Sequence, residues 1–197
     1  MLTLHRAAVL APCETAPSID DGAVLVRGDR IAALGRHAEL AAAHPSARLR
    51  DWGDDALLAP GRAQPDGALL LERRYHPDPR EGLGSAPLPL PPGGIEAAHY
   101  GGLGGSARRG LQLMLRHGTT ALAGPFERPE VRTAVSRSGL LVLAPFEPSR
   151  PLDTLAFEAV PNGALTVGGR ADFAIFGRGT GECLGTVLAG KLLYRGR

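Results

Sequence analysis

A chain of 197 residues, 44% of them hydrophobic, has room for one ordinary domain or two small ones and is too apolar for wholesale disorder. Its formal charge of +2 comes from nearly balanced acids and bases, which leaves no strong field for nucleic acid or an anionic membrane. Cys13 and Cys183 are the only cysteines, too few for a disulfide framework and without CxxC spacing, so they are expected to be reduced thiols.

Residues 2 to 10 form an apolar run that Pro12 ends, and they read as a strand. In IDDGAVLVRGDRIAALG, two short apolar runs flank Gly28 and Asp29. A glycine at the first place of a two-residue loop suits a type II′ hairpin turn, here with apolar residues on both faces. HAELAAAH, residues 37 to 44, has helical composition and stops at Pro45. DWGDDALLAPG then gives a turn and a short strand over residues 56 to 59.

From Pro77 to Gly105 the sequence is so rich in proline and glycine that it reads as a long loop or linker, unable to sustain a helix or a central strand. Two helix-then-strand units follow. In the first, Ser106 is the expected N-cap, Leu111, Met114 and Leu115 share a face, and TTALAG is the strand. In the second, Pro129 starts the helix, Val131, Ala134 and Val135 share a face, and LLVLAPF, residues 140 to 146, is an apolar strand of the kind buried in a parallel sheet. Near the end, ADFAIF is a strand, and TVLAGKLLYR is a second hairpin turning at Gly190 and Lys191. A terminal hairpin alone is marginal in water, so the two ends are expected to share one sheet system.

Taken in order, these pieces resemble the amidohydrolase superfamily of metal-dependent hydrolases, with imidazolonepropionase and the aminodeoxyfutalosine deaminases nearest. IDDGAVLVRGDRIAALG with DWGDDALLAPG is similar to the entry of those enzymes, LTVGGRADFAIF with TVLAGKLLYRGR to their exit, and LRHGTTALAG to the start of the second barrel unit. The resemblance implies an α+β fold. Residues 1–61 and 162–197 would form a discontinuous composite β-sandwich, 62–105 a Pro/Gly-rich linker, and 106–161 an α/β remnant of a truncated TIM barrel. About 15 residues separate Phe146 from Asn162, against roughly 250 in a complete barrel.

The same resemblance says where chemistry would sit. Relatives place two histidines after the turn that corresponds to Pro60 and Gly61; here Asp66 and Ala68 stand at those positions. Asp153 is the only candidate for the family's late catalytic aspartate. Read from the residues alone, a composed metal site would draw on Asp66, His76, His99 and His117, since three imidazoles bind zinc and activate a water. Against that, lone histidines beside loops and helix stops are usually surface or capping residues.

GGLGG lacks a following Walker lysine, no nucleic-acid module is present, and no serine has an evident base. Three readings stay open: an inactive amidohydrolase-like module that binds or scaffolds, an active or split hydrolase of non-peptide C–N bonds in cyclic amides, amidines or aminopurine-like substrates, and a gene remnant. No cofactor is expected under the first, a divalent metal such as zinc or iron under the second. No run reaches the roughly 18 apolar residues of a membrane span, so a cytoplasmic protein is expected. The open edge of the strand at 140–146 is expected to be covered either by packing onto the β-sandwich or by a second chain, as a homodimer or a partner.

Overall fold

Strands from opposite ends of the sequence lie side by side in the computed structural model, which describes residues 2–90, 95, 100–146 and 157–196. In chain order the elements begin with β1 (Leu2–Leu10), β2 (Ile19–Arg27), β3 (Arg30–Arg36), α1 (His37–Ala43), β4 (Arg48–Asp51) and β5 (Ala56–Pro60). Next come β6 (Arg62–Gln64), α2 (Gly67–Glu72), β7 (Arg74–Tyr75), a 3-10 turn (Pro79–Glu81), β8 (Leu88–Pro89), α3 (Gly102–Arg116) and β9 (Thr119–Ala123). The series closes with α4 (Pro129–Ser138), β10 (Leu141–Leu143), β11 (Val160–Pro161), β12 (Phe173–Gly177), β13 (Cys183–Leu188) and β14 (Lys191–Arg195). They fall into two units, one of Met1–Arg62, Arg116–Thr120 and Pro161–Arg197, the other of Ala63–Leu115 and Ala121–Val160.

The first unit is built on a sheet in the order β14-β13-β12-β5-β1-β2-β3, with β4 also paired to β1. Its seam is the antiparallel pair β5–β12, from Phe173 opposite Pro60 to Gly177 opposite Ala56. The apolar residues on both faces of β2 have two separate destinations. Val24 and Val26 enter the main core with Leu10, Leu58 and Phe173, while Ala23 and Leu25 join Leu4 under Leu40 and Ala41 of α1. A strand covered on both faces needs no alternation of polar residues.

His5 is buried in this unit, its ring edge-on to Phe173 at 5.0 Å, with the Trp52 indole N–H directed at its Nδ1 at 3.4 Å. Burial, and then the positive charge of Arg50, push its pKa down to about 3. Beside it, Arg6 binds three carboxylates: Asp21 at 2.7 Å, Asp54 at 2.8 Å and Asp51 at 3.1 Å. One guanidinium thus ties β1 to β2 and to the turn after β4.

In the second unit a smaller sheet runs β10-β9-β6-β11, with β10 parallel to β9. Several expectations need correction here. The segment after β6 is not all linker: α2 forms because Leu70 and Leu71 find full burial, and β7 pairs with β8. Helix α3 starts at Gly102, ahead of Ser106, because Leu103 is buried and anchors an extra turn; Ser106 lies inside the helix, also buried. Strand β10 is parallel as expected but short and exposed, with Leu141 at 40% and Val142 at 53% accessibility, since it is the edge of its sheet. The remainder of the proline- and glycine-rich stretch, residues 91–94 and 96–99, lies outside the described residues.

The β2–β3 and β13–β14 hairpins of the first unit turn on positive φ. Gly28 adopts 63°, while Ala189 and Gly190 adopt 48° and 73°, which puts the second turn one residue earlier than the sequence suggests. The two turns also touch. A Cβ at Gly190 would lie 2.0 Å from the Gly28 carbonyl oxygen. Gly190→Ala is therefore expected to cost roughly 2–4 kcal/mol through backbone strain and loss of this contact. Urea denaturation checks it, and a variant as stable as the parent would contradict turn-on-turn packing.

Candidate functional site

Asp66 and His76 both belong to the second unit. Asp66 precedes α2 and is buried; its amide donates to Gln64 Oε1 at 3.1 Å, its carbonyl accepts from Leu70 at 2.9 Å, and its carboxylate does not cap the helix. Gln64 is buried as well and donates to the Glu158 carbonyl at 3.2 Å.

His76 follows β7 and is 1% accessible, which corrects the expectation of a surface or capping histidine. Its backbone is held on both sides by α3. The amide donates to Ser106 Oγ at 2.9 Å, and the carbonyl accepts from Arg109 Nε at 2.7 Å. The imidazole Nε2 lies 2.8 Å from the Leu70 carbonyl, which can only accept, so Nε2 carries the proton and Nδ1 the lone pair. Burial, with a contribution from Arg109, lowers the pKa, and the bond to Leu70 opposes this. The ring is therefore neutral. Helix α3 reaches it at Gly110, where a Cβ would stand 2.7 Å from Nε2.

A charged network borders this histidine. Asp78 caps the 3-10 turn, accepts two hydrogen bonds from the Arg80 guanidinium and lies 3.5 Å from Arg109, so its carboxyl is held well below the usual range, chiefly by Arg80. Tyr75 donates its hydroxyl to Glu81; burial first, then that carboxylate, push the phenol up to about 12. Arg109 links His76, Asp78 and the Tyr100 carbonyl. The sequence reads Ser106 as a helix N-cap and does not single out Arg109, and neither reading connects them to His76. Their spacing of three on α3 was the available signal, because it puts both on one face.

His117 lies in the first unit, exposed beside Gly118, with its pKa lowered by partial burial and by Arg62 and Arg116. His99 and Asp153 fall outside the described residues. Among the described residues, no three His, Cys, Asp or Glu side chains form a group able to hold a metal ion. Among the described residues Asp66 and His76 are joined by no third donor: Ala68 carries no ligand atom, and His76, whose Nε2–H is held by a backbone carbonyl and whose Nδ1 keeps its lone pair, belongs to no group of metal-binding size. What the arrangement can do is hold a neutral imidazole and a fixed arginine in place.

Residues 22–47 match the imidazolonepropionase-like composite domain of bacteria. The amidohydrolase-like resemblance therefore holds at the composite domain. No curated protein matches the chain in sequence. Similar solved structures include A. niger ochratoxinase, 20% identical over 73% of this chain and 31% of its own, with a TM-score of 0.48. Guanine deaminase from Bradyrhizobium japonicum is 18% identical over 73% of this chain and 34% of its own, at 0.45. Helicobacter pylori aminofutalosine deaminase is 14% identical over 73% and 33%, at 0.40. The chain spans about a third of the length of each of these structures.

The two buried histidines set a pH dependence. Both have folded pKa values below the ordinary 6.5, so the unfolded chain takes up protons first as pH falls. Their contribution is full above 6.5 and is lost on acidification, down to about 3 for His5. Each contributes a slope of up to about 1.4 kcal/mol per pH unit. Urea midpoints are expected to drop between pH 7 and 5, and less steeply in His76→Gln. A flat profile would show that neither imidazole is held neutral.

Proposed function

We propose that this chain is an amidohydrolase-like binding or scaffolding module, related to hydrolases of non-peptide carbon–nitrogen bonds and itself without their hydrolysis. The observation that carries this reading is how the candidate donors are used. Ala68 stands where relatives carry a second ligand, and among the described residues no third donor joins Asp66 and His76 into a group able to hold a metal ion. A hydrolytic metal centre needs three protein ligands on rigid elements around an open position.

The second unit is then a barrel remnant. Parallel β9 and β10 joined by α4, with β6, β9 and β10 neighbours in one sheet, support that reading. A cytoplasmic location is part of the same proposal; among the described residues, no helix is long and apolar enough to cross a membrane.

Metal content and turnover test the central claim. Purified protein is expected to carry no stoichiometric zinc, iron or nickel, to gain no thermal stability from added metal, and to leave cyclic amides, amidines and aminopurines intact. One equivalent of bound metal with metal-dependent hydrolysis would instead establish the active enzyme. Hydrolysis that appears only on adding a separately encoded barrel segment would establish the split one.

Among the described residues β10 is the edge of its sheet and exposed, which supports a second copy of the chain as the binding partner. A free edge strand pairs with its own copy about a two-fold axis with no further surface required. Light scattering is expected to give a dimer that Val142→Lys converts to monomer. A parent protein monomeric at high concentration would remove this part of the proposal.

A further inference from the structure

The strongest unassigned feature lies in the first unit, between β4 and β14. Residues two apart on a strand share a face, so Arg48 and Arg50 of β4 point the same way, and Trp52 follows the strand directly. With Leu192 and Arg195 of β14, they line a cavity of about 200 Å³. Trp52 is wedged in place. Its indole abuts the β13 backbone, where a Cβ at Gly185 would come within 2.5 Å of the ring, and the Arg195 guanidinium lies 5.9 Å from the ring centroid.

Three guanidiniums converge on this cavity. Arg50 is buried enough to have its pKa lowered, first by desolvation and then by the charges of Arg48 and Arg195. Its Nε is buried and has no hydrogen-bond partner among the described residues. The one carboxylate at the cavity, Asp51, is occupied elsewhere: its Oδ1 accepts from Arg6 at 3.1 Å and from the Gly53 amide at 2.9 Å. No ion pair joins Arg48, Arg50 or Arg195 to an acid among the described residues.

Like charges crowded around a buried, unpaired donor are unfavourable. An oxyanion relieves both at once, because it brings negative charge and acceptors that match the planar guanidinium fork. We propose that this cavity is a binding site for a small molecule carrying a phosphate or carboxylate group, with Arg50 and Arg195 as its donors and Trp52 as its wall. This inference does not rest on the function proposed above.

Trp52 is the only tryptophan, so fluorescence excited beyond the tyrosine absorption band reports on this cavity. The full chain is titrated with inorganic phosphate and, separately, with succinate at constant ionic strength, using chloride as the reference. A saturable change in emission is expected with at least one of the two oxyanions and not with chloride. A response to phosphate alone identifies a phosphate ligand, and a response to succinate alone a carboxylate one. Arg195→Gln, at an exposed position, is expected to weaken binding about tenfold, the loss of one charge-assisted hydrogen bond. Arg50→Lys keeps the charge, removes the Nε donor and is also expected to weaken it, while Arg178→Gln, exposed outside the cavity, is expected to change nothing. Should Arg50→Lys fail to fold, Arg195→Gln decides alone. Emission that responds to phosphate and succinate no more than to chloride, or unchanged affinity in Arg195→Gln, would overturn the proposal.

Discussion

Pro60 lies opposite Phe173 across the antiparallel pair β5–β12, and the first unit depends on that seam. Without it, the N-terminal strands lack the Phe173 side of their core and the C-terminal strands are an isolated hairpin pair, a size that is marginal in water. The seam also brings the two ends of the intervening segment together. Loop-closure entropy grows only logarithmically, by about 0.6 kcal/mol for each doubling of length, so what is inserted there can change in size with little effect on the sheet. That is a physical reason for a composite domain to persist while the segment it carries varies.

The two fully buried histidines show how the fold decides chemistry. His5 sits against Phe173 and Trp52 and is held neutral by desolvation; His76 is neutral for the same first reason but is also pinned by Leu70, Ser106 and Arg109. Neither was distinguishable in the sequence from a titrating surface residue. Their neutral state comes from the strands and helices that close over them.

What could be read in advance follows the range of each interaction. The hairpins were legible because Gly28 and Gly190 supply the positive φ that their turns demand, a local requirement. The apolar faces of α3 and α4 were legible from spacing, and Leu111, Met114, Val131, Ala134 and Val135 are buried. The start of α3 was not, because glycines of poor helical propensity at 102, 104 and 105 are overridden by tertiary burial of Leu103. Strand β10 misled for the opposite reason: its composition suits a covered strand, while its place at the sheet edge leaves it exposed. Of the candidate site, only the missing ligand pair at Asp66 and Ala68 was visible. The grouping of Arg50 with Arg195 was not, since most of the chain separates them.

The order in which the strands of the large sheet are synthesised has a consequence for the nascent chain. β5 is complete at Pro60, but its partner β12 begins at Phe173, and at about 5–20 residues per second the ribosome needs on the order of ten seconds to deliver it. Throughout that interval Leu58 and the inner residues of β1 and β2 have no opposite layer to enter. The molecule therefore spends its synthesis as an unfinished sheet with an open flank, and sustained protection by chaperones or slow, crowded translation would matter more to its yield than the stability of the finished fold.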